Sequence, residues 1–379
     1  MLTPQSSVLA FEHAFEIVTP IVLLVLPARR SSVNPRPPPP TDGTASGARR
    51  RGWASAAPEA SRMAALRRPK PLVPGGTIGL LSPSGPVTAA GATTPQHIEL
   101  TRRRLLGVGF RTVVAPHALD VRGYLAGGDA GRVADLHAMF ADPSIDAILC
   151  VRGGYGAHRL LGALDYDLLR AHPKVFIGYS DITALHLALH TQCRFVTFHG
   201  PMATALSRPD SHDFLECLRA VARPEPLGAL ANPPGAPPIE TLVAGEAEGE
   251  LIGGNAALVT ALLGTPYQPE FRGRILFLED LGDRLYRLDR KLVHLRLAGV
   301  LEQVSGIVIG ECRYPAEPPP GLSLREILED LVVPIGKPAI YGLACGHGEY
   351  HLTLPVGVRA RLDATRGILT IVEPGVAAA

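Results

Sequence analysis

Lys174-Val175-Phe176-Ile177-Gly178-Tyr179-Ser180-Asp181-Ile182-Thr183 decides how this chain is read. A short apolar run, Val175 to Ile177, stops at a glycine. Ser180 follows almost at once, and Ile182, Leu185 and Leu189 then fall at helical spacing. The pattern is strand, sharp corner, helix. A serine at such a corner has an exposed hydroxyl and a backbone amide near a helix N-terminus. That suits a nucleophile that attacks a carbonyl and then holds the resulting oxyanion. The hydrolase elbow motif would place x-Gly where Asp181 and Ile182 stand, so the match is incomplete.

Outward from this corner, short apolar runs alternate with helical periodicity. Ile78 to Leu81 reads as a first strand, ending in Ser82-Pro83-Ser84-Gly85. A helix is expected over 97–106, a strand over 112–114 and a helix over 132–140. A strand over 147–151 and a helix over 158–164 precede the fourth strand, 175–177. Continuous apolar strands separated by helices predict a parallel sheet covered on both faces. Active sites in such sheets lie at the carboxyl ends of the strands. Gly153-Gly154 and Ser180 both fall there.

Arg223 to Pro238 holds six prolines in sixteen residues, a linker composition. Beyond it, strands are expected over 249–254, 274–278 and 306–310, with helices over 255–263 and 291–297. Ser323 with Glu326 predicts a capping box for a helix over 324–331. Residues 356–362 and 367–372 read as a closing hairpin. The expected organisation is an extension over 1–62, an α/β domain over 63–222 carrying the serine, a Pro-rich linker over 223–243, and a second domain over 244–374.

Composition narrows the function. The chain has 379 residues, 46% hydrophobic and 19% charged, enough for two cores. A net charge of +2 implies no strong pull toward nucleic acid or membrane. The five cysteines are odd in number and form no C-x-x-C pair, which favours a reducing, cytoplasmic setting without a disulfide framework. Cys150 reads as a small buried hydrophobe. Residues 1–62 differ from the rest. Ile17 to Pro27 is apolar, but acidic residues precede it and Arg29-Arg30 follow, the reverse of a secretory signal. A Pro-rich and Gly/Ser/Ala/Arg stretch containing Arg49-Arg50-Arg51 then reads as disorder. Either translation starts at Met63 or residues 1–62 are a dispensable tail.

A serine nucleophile needs a base. His347, flanked by Gly346 and Gly348, is the first candidate; His199 is second, more simply a pocket wall. A carboxylate must orient the imidazole. Glu279, at the end of the apolar run Ile275 to Leu278, is favoured, with Asp280 and Asp283 as competitors. Val151-Arg152-Gly153-Gly154-Tyr155-Gly156 lacks the spacing of a nucleotide fingerprint. It reads better as an oxyanion or carboxylate-binding loop, with Arg152 and an amide near Gly153 as substrate contacts. His186 and His190 lie i, i+4, but Leu187 stands where a zinc protease has glutamate. Neither a metal nor another cofactor is expected.

Six segments in this order, Val151 to Gly156, Gly178 to Asp181, His199 to Pro201, Gly253 to Asn255, Leu278 to Asp280 and Gly346-His347, resemble the LD-carboxypeptidase (muramoyltetrapeptide carboxypeptidase) family of serine peptidases. The resemblance covers roughly residues 70–374. It implies an N-terminal parallel α/β sheet domain with a second, mainly β C-terminal domain, and a homodimer. By motif position it implies Ser180 as nucleophile, Glu279 as acid and His347 as base, with the amides of Gly154 and Asp181 as oxyanion hole. It implies release of the terminal D-alanine of murein tetrapeptides in peptidoglycan recycling. Two departures touch the pocket. Ala256 stands where the family has leucine after Gly-Gly-Asn, and Asp280 to Arg284 lacks a glutamate that members often carry. One branch of the family confers immunity to microcin C-type peptide-nucleotide antibiotics and needs a flat aromatic; the one tryptophan, Trp53, lies in the extension. A non-catalytic muropeptide-binding protein is the alternative of another class. The sequence leaves open lysine against diaminopimelate at the third position of the substrate.

Overall fold

The chain folds around two sheets that share one buried helix. A computed structural model describes residues 65–88, 94–207, 212–315 and 321–378. The extension over 1–62, with Met63, Trp53 and Arg49 to Arg51, lies outside the described residues. Five strands open the first sheet: β1 (Thr77–Leu81), β2 (Arg111–Val114), β3 (Ala147–Cys150), β4 (Val175–Gly178) and β5 (Thr197–His199). Every residue of β1, β3 and β4 is buried, the expected state of strands covered on both faces. Strand β2 alternates exposed and half-buried residues, because it is an edge.

The second sheet begins with β6 (Gly228–Leu230) and β7 (Glu240–Val243). Then follow β8 (Glu246–Asn255), β9 (Ile275–Leu281), β10 (Gly306–Arg313) and β11 (Ala339–Leu343). Next, β12 (Leu354–Val356) crosses back, and β13 (Arg359–Asp363) with β14 (Ile368–Ile371) closes the chain. The first sheet runs β12-β5-β4-β3-β1-β2, parallel except for β12 on β5. The second runs β6-β14-β13-β8-β9-β10-β11-β7, with β8 to β11 parallel at its centre.

Three expectations change here. The Pro-rich stretch is not merely a linker, since β6 and β7 within it form the two edges of the second sheet. Their partners lie far along the chain, so local composition does not reveal them. Val356 belongs to β12 and pairs with Thr197 of the first sheet, so the closing hairpin starts only at Arg359. The segment Ala157–Ala163 is a 3-10 turn rather than an α-helix. The helix Leu324–Leu331 is capped by Ser323 and Glu326 as expected.

The helix Thr183–Cys193 is buried along its whole length and packs against both β5 and β8. It has no solvent face, so its apolar residues surround it and leave no stripe. Each fully buried leucine here contributes about 1.5–3 kcal/mol of transfer free energy. The helix stops at Arg194, whose φ of 53° is left-handed. No helix among the described residues is long and apolar enough to cross a membrane.

Candidate active site

Ser180 sits at the corner between β4 and the buried helix with φ 64°, one of two non-glycine residues described with positive φ. Holding a serine there costs about 1–3 kcal/mol, which surrounding contacts must offset. Those contacts are visible. A Cβ on Gly153 would lie 2.9 Å from the Ser180 Cβ, so the loop after β3 can close on the corner only as glycine. The Gly178 carbonyl accepts from His186 Nε2 at 2.7 Å. The Asp181 carboxylate accepts from the Ser84 hydroxyl at 2.5 Å and the Ala157 amide at 2.8 Å. One buried side chain thus ties together the loops after β1, β3 and β4. Burial pushes the Asp181 pKa up, and those two hydrogen bonds oppose the rise.

The base side comes from the second sheet. His347 Nε2 lies 3.0 Å from the Ser180 hydroxyl, and its Nδ1 lies 2.7 Å from Glu279 Oε2. Glu279 is fully buried, while His347 keeps 15% of its side chain exposed. A serine, an imidazole and a carboxylate therefore stand in line, the carboxylate fixing which nitrogen carries the proton. Asp280 points to the opposite face of β9, as the next residue on a strand must. There it meets Lys291, Tyr314 and, at 3.3 Å, Asn255 Nδ2. Asp283 is exposed and pairs with Arg287 at 3.1 Å. Of the three acids, Glu279 is the one that meets His347.

The two halves are joined beside the corner. The Asn255 amide donates to Thr183 Oγ1 at 2.9 Å, and a Cβ on Gly254 would come within 2.5 Å of that oxygen. The Gly-Gly-Asn segment is thus a docking seam. Behind His347, Arg313 Nη1 donates to its carbonyl at 3.0 Å, and His199 Nε2 donates to the Cys345 carbonyl at 2.8 Å. The Tyr179 ring lies 4.9 Å from His347 and 4.3 Å from His351, centre to centre. Sequence patterns single out neither His351 nor the supporting roles of Tyr179, Ser84 and Asp213. The Asp213 carboxylate takes the His351 amide at 2.8 Å across 138 residues, so only the fold reveals that contact.

Other candidates resolve differently. Arg152 is half-buried, donates Nη1 to the Pro86 carbonyl at 3.0 Å, and packs beside Gly85. The Gly153 carbonyl accepts from the Gly85 amide at 3.1 Å. Both residues thus line the loop wall beside Ser180. His199 is buried among aromatic rings and held neutral by burial, as a wall rather than a base. His186 is neutral too, its pKa lowered to about 4 by burial. His190 lies 3.0 Å from Arg194 Nη1. Burial also drives the Cys345 thiol well above its usual range, which removes its reactivity. Among the described residues, no group of three or more metal-ligating side chains is placed to hold an ion.

The family models for the LD-carboxypeptidase N-terminal and C-terminal domains match residues 78–200 and 248–362. A Bacillus subtilis protein named "Probable murein peptide carboxypeptidase" is 36% identical, over 82% of this chain and 95% of its own length. The murein tetrapeptide carboxypeptidase of Pseudomonas aeruginosa is 33% identical over 77% of this chain and 94% of its own. Among solved structures, MccF in complex with glutamyl sulfamoyl guanosine superposes with a TM-score of 0.76 at 26% identity, covering 82% of this chain and 99% of that one. In sequence along both sheets and in backbone, this chain is a member of the LD-carboxypeptidase family.

Proposed function

We propose that the protein is a serine-type LD-carboxypeptidase that releases the terminal D-alanine of murein tetrapeptides. The line from Ser180 through His347 to Glu279 carries this reading. His347 takes the Ser180 proton as the hydroxyl attacks the amide carbonyl. Glu279 stabilises the imidazolium that forms. The amides of Asp181 and Gly154, at a helix start and a strand end, receive the oxyanion, each worth on the order of 3 kcal/mol. His347 then protonates the departing amine, and water resolves the acyl-enzyme. Arg152 and an amide near Gly153 are assigned to the terminal carboxylate of the substrate. A cytoplasmic homodimer acting in peptidoglycan recycling is the setting that fits, with no nucleic-acid or membrane partner.

Ser180→Ala tests the assignment by D-alanine release from a defined murein tetrapeptide. A loss of about 10⁴-fold or more is expected; release at the wild-type rate would reject Ser180 as nucleophile. The likeness to MccF favours a second reading, cleavage of an acylated nucleotide. An acyl-sulfamoyl adenylate run as a parallel substrate separates the two. Turnover of the adenylate above that of the tetrapeptide would select the second.

A further inference from the structure

Strand β10 breaks its register beside the buried acid. Ile309 pairs with Leu278 and Cys312 with Asp280, so Gly310 and Glu311 together stand opposite Glu279. The same strand slips against β11, where Ile309 meets Tyr341 and Gly310 meets Leu343. This is a β-bulge, a device that re-aims a side chain. In a regular strand Glu311 would pair with Asp280 and share its face. The extra residue turns Glu311 toward the loop that carries His347 instead. Its carbonyl oxygen lies 2.9 Å from where a Cβ on Gly346 would stand, and its Oε2 lies 1.6 Å from where one on Gly348 would stand. Both glycines around His347 are therefore seated on this one residue. Gly348 has no left-handed φ, so space rather than backbone freedom calls for glycine there. The Glu311 carboxylate is half-buried, and its Oε2 is shut off from solvent with no hydrogen-bond partner among the described residues. For stability alone such an oxygen is a net cost. Burial raises the Glu311 pKa, while Arg313 and the Gly348 amide oppose the rise.

We propose that Glu311 is a positioning residue for His347: its carboxylate is the stop against which the 346–348 loop closes, and so sets where the imidazole meets Ser180. The role rests on the reading of His347 as the base. Glu279 holds the ring at one point, through Nδ1 at 2.7 Å. A single contact leaves the ring free to pivot about that nitrogen as the loop rises or sinks. A bearing under Gly348 removes this freedom and keeps Nε2 at 3.0 Å from the Ser180 hydroxyl. Arg313, two residues along the same strand, holds the loop from its other side through the His347 carbonyl at 3.0 Å. Glu311 thus acts through the loop backbone and not on the reacting atoms. A misplacement of about 1 Å at such a point slows a reaction about 100-fold.

The test measures kcat and KM for D-alanine release in wild type, Glu311→Ala, Glu311→Gln, Gly348→Ala and the double variant Glu311→Ala/Gly348→Ala. Glu311→Ala should lower kcat about 100-fold and leave KM within about twofold. Glu311→Gln keeps the shape of the stop and should recover most of the rate. Gly348→Ala drives the carboxylate aside and should also lower kcat. In the double variant the new methyl group enters space already vacated, so the two losses should not add. Proton NMR of the Nδ1–H shared by His347 and Glu279 gives a readout that needs no substrate. Its downfield signal should stay sharp in Glu311→Gln and broaden in Glu311→Ala. A kcat for Glu311→Ala within about twofold of wild type, additive losses, or an unchanged signal overturns the stop. If Glu311→Ala does not fold, Gly348→Ala decides: wild-type kcat with an unchanged signal rejects the stop, and loss of both supports it. If the wild type releases no D-alanine, the carboxypeptidase reading fails instead, and the proton signal alone decides the stop in the same way.

Discussion

The corner that presents Ser180 is one continuous strand, turn and helix braced by the loops after β1 and β3, whereas the opposing wall brings Glu279 to His347 across 68 residues and His347 to Ser180 across 167. The first wall is a strained serine on a strand-to-helix corner, stiffened by backbone contacts and by Asp181. The second is a buried carboxylate and a largely buried imidazole, positioned by β9 and the 344–348 loop. The first can therefore be damaged locally. The second can be damaged from anywhere that shifts the docking of the two sheets.

Substitutions on adjacent residues of β9 give the sharpest break in this comparison. Glu279→Gln should lower kcat for D-alanine release by about 10⁴-fold, because His347 loses its orienting charge. Asp280→Ala should do the opposite. It leaves Lys291 without its buried partner and costs about 3 kcal/mol by urea denaturation, while the folded fraction loses far less kcat than Glu279→Gln does. Equal kinetic losses from both would mean that the two faces of the strand are not separate.

The seam comes next in size. Gly254→Ala places a methyl group against Thr183 at φ 133° and should cost about 2 kcal/mol. Urea denaturation reads the loss. Activity should fall further than stability alone explains, because the seam sets the distance from His347 to Ser180.

The smallest effect, for each histidine and each pH unit, is a dependence on pH. Burial lowers the pKa of His186 to about 4 and that of His351 to about 3. Unfolded histidine titrates near 6.5, so below that pH the unfolded chain binds protons that the native state excludes. Stability should be full above pH 7. It should then decline as pH falls toward 4, by about 1.4 kcal/mol per unit for each such histidine. Thermal melts at pH 7.5, 6 and 5 check the slope. A midpoint that rises on acidification would show that these rings are charged in the native state.

The same contrast governs how much was legible in the sequence. The corner at Ser180 could be read because its strand, turn and helix are contiguous and each has its own pattern. The choice of Glu279 over Asp280 could not follow from periodicity, since β9 is buried on both faces from Ile275 to Asp280. It took the positions of His347, Lys291 and Tyr314 to separate them. Asp181 was read for its amide alone; its carboxylate contacts, to Ser84 across 97 residues, needed the fold. The prolines around β6 and β7 masked two edge strands, because an edge tolerates proline and gives little hydrophobic alternation.

Strand β12 has a consequence for biosynthesis. It reaches the first sheet only with residues 354–356, so a nascent chain emerging from the ribosome holds β5 with one side bare until almost all of the polypeptide has been made. Releasing the chain early, or expressing its first half alone, leaves a raw margin open to aggregation. A prematurely terminated product also carries the serine corner without the loop that bears its imidazole. The catalytic line thus cannot form until the segment bearing His347 has been made.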